Sequence, residues 1–121
     1  MPEAGCRAVL VSHHHGRVPF GMPPVAMIPA VKEALKGSGM EVFCDCHIDS
    51  GYDAYKALAM GANAVAPGRI LLKPLMQEGK DGVVKKIKEM HNQLKEMMLY
   101  TGIGDTHSFD ASVLHEDNCD L

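Results

Sequence analysis

Three short apolar runs, Ala8-Val9-Leu10-Val11, Val42-Phe43-Cys44 and Ala64-Val65-Ala66, constrain this chain more than any other feature. None alternates polar with apolar residues, and each lies between turn signals. Such runs suit strands of a parallel sheet covered on both faces. Helical spacing fills the intervals. Ile28, Val31 and Leu35 repeat at helical separations, and Gly37 follows as a stop. Pro23, Pro24 and Pro29 place the front of that segment in a loop or a first helical turn. Ser50 is positioned to cap a second helix, with Asp53 three residues on, near the capping-box pattern. Tyr55, Leu58 and Ala59 would form its inner face, and Gly61 would end it. Asp81 is the expected cap of the last helix and Gly102 its stop. Its stripe of Val83, Ile87, Met90, Leu94 and Met97 reads as core packing. Strand then helix, three times over, predicts an α/β fold with right-handed crossovers.

Length and charge narrow the function classes. A chain of 121 residues fits one domain, and 46% hydrophobic residues suffice for a core. The net charge of −3, with no basic run longer than Lys85-Lys86, argues against a nucleic-acid partner. No segment approaches the roughly 18 apolar residues of a membrane span. The start, Met1-Pro2-Glu3-Ala4-Gly5-Cys6, lacks a signal pattern, so a cytoplasmic protein is expected. Cys6, Cys44, Cys46 and Cys119 form no CxxC pair and read as reduced thiols, with Cys44 and Cys46 on one face of an extended strand. The tail, residues 105–121, is expected to be partly irregular, anchored by Phe109, Val113 and Leu114 and loose from 115 onward.

Ligands of parallel α/β folds bind at the C-terminal ends of the strands. After the first run come Ser12-His13-His14-His15-Gly16-Arg17. After the second come Asp45-Cys46-His47-Ile48-Asp49-Ser50-Gly51, and after the third Pro67-Gly68-Arg69. Four of the seven histidines and two scarce arginines therefore fall on one expected rim. A histidine accepts a proton near neutral pH. An arginine fork matches a carboxylate or a phosphate. A glycine before a helix lets backbone N–H groups approach a phosphate. Such a rim suits removal of a proton or hydride from a small anionic acid beside a phosphorylated cofactor. Taken singly, a triple histidine also reads as a solvated turn and Asp45 as a loop cap.

These segments resemble the FMN-dependent α-hydroxy-acid dehydrogenase/oxidase family, the glycolate and lactate oxidase group. Ser12-His13-His14-His15-Gly16-Arg17 is similar to its Ser-Asn-His-Gly-Gly-Arg signature. Residues 45–62 look like its Asp-Gly-Gly-x-Arg segment and the helix that follows. Ala64-Val65-Ala66-Pro67-Gly68-Arg69 looks like its Val-x-x-Gly-Arg strand end, and residues 79–102 are similar to its closing helix. The resemblance covers about residues 4 to 114. It implies a partial (β/α)8 TIM barrel, holding the last three βα units with parallel strands; a whole barrel takes about 250 residues. By resemblance His14 is the catalytic base, Arg17 holds the substrate carboxylate, Asp45 begins the phosphate-site segment as a cofactor-binding residue, and Gly68 with Arg69 binds the phosphate of FMN. The implied reaction is oxidation of a small 2-hydroxy acid to the 2-oxo acid. The chain departs from the pattern at His13 for Asn, His15 for Gly, Cys46-His47 for Gly-Gly and Asp49 for Arg. The last puts a negative charge where a phosphate would sit.

Three strands cannot close a barrel, so unpaired edges and apolar faces are expected. A chain supplying the N-terminal half-barrel, or self-association, would cover them, and the chain alone is expected to be inactive. Other readings are another phosphate-binding TIM-barrel enzyme, a non-catalytic remnant, and a metal-binding module built on His13, His15, His47, Cys46 and Asp45.

Overall fold

The computed structural model describes residues 4–14 and 16–115. The three apolar runs become β1 (Ala8–Val11), β2 (Glu41–Cys44) and β3 (Ala64–Val65). All pair in parallel, in the order β1-β2-β3. Between and after them lie α1 (Pro24–Ala34), α2 (Gly51–Ala59) and α3 (Leu72–Thr101).

Pairing register explains which side of the sheet is buried. Val11, Cys44 and Val65 share one row, with Val9 and Val42 beside them. On this face Val42 and Cys44 are fully buried among Ile28 of α1, Ala54 and Ala57 of α2, and Met90 of α3. The alternate row is Leu10, Phe43 and Ala64, and here Leu10 is 56% exposed. Only one face is therefore covered, where the apolar runs predicted two. In a closed barrel the other face packs against side chains of the remaining strands, which keeps its residues apolar.

Local chemistry sets the helices. Ser50 caps α2: its Oγ accepts from the Asp53 N–H at 3.1 Å and donates to Asp53 Oδ2 at 2.6 Å. This is the predicted capping arrangement, and Asp53 Oδ2 also accepts the Asp49 N–H at 3.3 Å. Two helices differ from expectation. Pro24 occupies the first turn of α1, but Pro29 lies inside the helix. Its side chain is exposed, so the carbonyl left without an N–H partner can turn to water. The last helix begins at Leu72 and breaks at Gly79, whose φ of 61° and ψ of −144° are accessible only to glycine. Asp81 sits in the first turn after that break, where a carboxylate suits the helix dipole, and does not cap the element. Along the stripe Met90 is buried, whereas Ile87 is 48% exposed.

The tail is held from 105 to 115. Phe109 meets Tyr55 edge-on at a centroid distance of 5.2 Å, and a 3-10 turn follows at Ala111–Val113. Of the stretch expected to be loose from 115 onward, residues 116–121 lie outside the described residues. Tyr55 is buried, and its hydroxyl donates to Thr101 Oγ1 at 2.8 Å, joining α2 to the end of α3. Tyr55→Phe removes that bond and is expected to lower stability by about 1 kcal/mol. The check is a lower denaturant midpoint at unchanged slope.

Candidate active site

The loops that leave the three strands meet at one end of the sheet. They enclose a cleft of about 180 Å³ lined by His14, Asp45, Cys46, His47, Asp49, Ala66, Gly68 and Arg69. Of the five site residues expected from sequence, His14, Asp45, Gly68 and Arg69 lie here together. Arg17 does not line the cleft. It is exposed on the same loop as His14, and its backbone N–H donates to the His13 carbonyl at 3.1 Å. His15 lies outside the described residues.

Each wall has a local cause. The β1 loop is folded by its own side chains. Ser12 Oγ accepts the His14 N–H at 3.0 Å, and His13 Nδ1 accepts the Gly16 N–H at 2.9 Å. His13 is thereby used in the loop, and His14 is turned into the cleft with φ of 49°. The β2 loop is more unusual. Cys46 and His47 both take positive φ, 65° and 58°. These are the positions at which the resemblance puts two glycines. The glycine-type backbone persists with side chains attached, at a cost of roughly 1–2 kcal/mol per residue. The expectation that Cys44 and Cys46 share a strand face fails here, because Cys46 has left the extended conformation. On the third wall Gly68 precedes a 3-10 turn, Arg69–Leu71, that runs directly into α3. An added Cβ at Gly68 would meet nothing within 4 Å, so the space beside it is open.

The β1 and β2 loops are tied through sulfur. Cys46 Sγ donates to Asp45 Oδ1 at 3.1 Å and lies 3.6 Å from Ser12 Oγ. His47 Nδ1 stands 3.9 Å from Asp49 Oδ2. Cys46, His47, Asp49 and Ala66 were not predicted as site residues. For Cys46, His47 and Asp49 the available signal was their place in the segment after the second strand, where they registered as departures from a pattern and, for Cys46 and His47, as metal-module candidates; Ala66 ends the third apolar run and carried no site signal.

Thiol reactivity follows from these environments. Burial, then the charges of Asp45 and Cys46, pushes the Cys44 thiol up to about 11. At neutral pH it stays protonated and unreactive. Iodoacetamide at pH 7.5 is expected to modify exposed Cys6 and half-buried Cys46 and to spare Cys44, as read by peptide mass spectrometry. Because folding raises this thiol above its ordinary value of 9.0, its share of stability is complete below pH 9 and lost between about pH 9 and 11.

Among the described residues no group of three or more His, Cys, Asp or Glu is placed to hold a metal ion. The metal-module reading therefore has no support among them. No helix of the described residues is long and apolar enough to cross a membrane.

Comparison with known proteins agrees with this geometry. The FMN-dependent dehydrogenase family matches residues 1–116. A 2-hydroxyacid oxidase of Dictyostelium discoideum is 33% identical over 96% of this chain and 30% of its own length. An L-lactate oxidase of Alicycliphilus denitrificans is 37% identical over 84% of the chain and 28% of its own length. Among solved structures, a mandelate oxidase with a monooxide FMN adduct superposes with a TM-score of 0.83 at 32% identity, over 88% of this chain and 34% of that one. A flavocytochrome b2 with sulfite bound gives 0.87 at 28% identity, over 94% and 31%. The chain thus spans about three tenths of the relatives it matches, in their C-terminal part, and its fold is a partial TIM barrel.

Proposed function

We propose, from the premise that the chain belongs to the FMN-dependent dehydrogenase family, that it forms the base-bearing and phosphate-binding wall of a site oxidising a small 2-hydroxy acid to the 2-oxo acid. The observation that carries this reading is the convergence of His14, Asp45, Gly68 and Arg69 on one cleft at the ends of parallel strands.

The residues present fit the phosphate of FMN at one corner. Arg69 offers a charged fork, and the open space at Gly68 admits an oxyanion. Asp45 stands beside this corner and, as an acceptor-only carboxylate, would meet a hydroxyl of the cofactor and not its phosphate. FMN, when bound, accepts the two electrons of the oxidation. His14 takes the substrate proton as base, or assists its loss as hydride leaves. Arg17, outside the cleft, would hold the substrate carboxylate from the rim. The similar proteins bear lactate, mandelate or 2-hydroxyacid in their names, which supports this substrate class.

The bare row of Leu10, Phe43 and Ala64 and the outer edges of β1 and β3 would be covered by the other βα units of a barrel. Another polypeptide segment, a separate chain or a second copy would supply that cover. We place the protein in the cytosol, a reading supported by the absence of a disulfide among the described cysteines.

The test measures FMN affinity by flavin fluorescence, with inorganic phosphate as competitor. Saturable binding is expected, relieved by phosphate and weakened about 10- to 100-fold in Arg69→Ala, the scale of a charged hydrogen bond. Binding indifferent to Arg69 would overturn the phosphate corner.

A further inference from the structure

Resting on that phosphate corner, we propose that His47 is a second phosphate-binding side chain of the cleft, positioned by Asp49 and effective when its imidazole is protonated. Charge makes such a group necessary. Among the described residues of the lining, Arg69 is the permanent cation and faces the carboxylates of Asp45 and Asp49. One guanidinium against two carboxylates leaves these described groups at −1 while both imidazoles are neutral. A phosphate dianion would be repelled by that wall. Protonating His14 or His47 brings the lining to zero, and protonating both makes it positive. The imidazoles therefore decide whether an anion is held.

Of the two, His47 has a carboxylate beside it: its Nδ1 lies 3.9 Å from Asp49 Oδ2. The same carboxylate that opposes a phosphate is thus turned to holding a cation toward it. The other groups around the residue are named by the two clefts it borders. His14, Asp45, Cys46, Asp49 and Arg69 share the first. Asp53 and Lys56 of α2 share the second, with Pro23, Pro24, Val25, Cys46 and Ile48. Asp53 Oδ2 is already engaged by Ser50 Oγ and the Asp49 N–H. The backbone is consistent with a functional side chain. His47 holds φ of 58° directly after Cys46 at 65°, which is costly for non-glycine residues, yet its side chain is 68% exposed and no core packing accounts for its identity.

Linkage provides the readout. If phosphate binds better to protonated His47, phosphate must raise the pH at which His47 titrates. Imidazole C–H resonances of the full chain are followed by NMR against pH, with and without inorganic phosphate, in a non-phosphate buffer at fixed ionic strength. The readout is the histidine midpoint, because phosphate itself gains charge as pH rises. The expected result is saturable movement of His47 signals and a midpoint displaced upward, with little change at His14. In His47→Gln, phosphate affinity at pH 6 is expected to fall about tenfold. Backbone amide spectra confirm that the variant is folded. Saturable shifts at Gly68 and Arg69 with an unmoved His47 midpoint would overturn the role of His47 and leave the phosphate corner standing. A displaced midpoint at His14 in place of His47 would also overturn it. No saturable shift at any cleft residue would sink both.

Discussion

Gly51→Ala is expected to destabilise the fold by about 3 kcal/mol or more, at the upper end of overpacking penalties. Gly51 opens α2 where that helix lies directly on α3. A Cβ built there stands 2.0 Å from the Met90 carbonyl oxygen, 2.6 Å from the Leu94 nitrogen and 2.7 Å from Gln93 Cβ. Two of these are backbone atoms of a hydrogen-bonded helix, so no rotamer change relieves the clash. The helices must separate, and separation also breaks the Gly51 N–H bond to Gln93 Oε1 at 2.8 Å. Met90 belongs to the core beneath the sheet, so the opening reaches Val42 and Cys44. A thermal midpoint lower by about 10 °C or more is expected. Gly104→Ala is the control, since nothing lies within 4 Å of a Cβ there. An unchanged midpoint in Gly51→Ala would show that the α2–α3 contact does not support the fold.

The requirement at Gly51 was invisible in sequence. A glycine after Ser50 reads as part of a cap, and its role as a contact surface appears only when α3 is laid across it. The strands were legible because their signal is local: runs of apolar β-branched residues between turn formers. The Ser50 cap was legible for the same reason. The break at Gly79 was not, because an isolated glycine in a helical pattern usually passes as a tolerated residue. Pro29 misled in the other direction. Its ring forbids one hydrogen bond, but an exposed helix face loses little when water takes the freed carbonyl. The bare face of the sheet was legible only through the resemblance to a barrel that three strands cannot close. An apolar run says that both sides of a strand are to be covered, not that this chain covers them.

At the cleft, sequence located the loops and not the conformation within them. Co-location of His14, Asp45, Gly68 and Arg69 followed from the rule that ligands gather at strand C-termini. The left-handed backbone at Cys46 and His47 runs against local propensity, since non-glycine residues are uncommon at positive φ. Tertiary context overrides propensity there, and only coordinates reveal that side chains now project from a turn suited to glycines. Arg17 shows the limit of spacing arguments. Its spacing from His14 suggested a shared cleft, but the turn closed by His13 and Gly16 carries it outside the lining.

The second large effect is expected at His14, in a barrel completed by complementation. The described strands make up three of the eight that close such a barrel. The FMN-loaded chain alone is therefore expected to leave the flavin oxidised when mixed anaerobically with lactate, glycolate or mandelate. Co-expression with the first five βα units of the Alicycliphilus denitrificans L-lactate oxidase would cover the Leu10–Phe43–Ala64 face and supply the missing walls. In that assembly L-lactate is expected to bleach the flavin, and His14→Ala to slow bleaching by about 10²- to 10⁴-fold, the usual worth of a general base. The mechanism requires the loss to fall on the rate of bleaching at saturating lactate, with flavin content retained, because His14 is assigned to the proton and Arg69 to the cofactor. Arg17→Ala, in contrast, would raise the lactate concentration needed for half-maximal bleaching. If His14→Ala bleaches at nearly the parent rate, the base is elsewhere and the cleft has been given the wrong chemistry. If it releases flavin instead, His14 supports the cofactor, and the roles of the two walls must be exchanged.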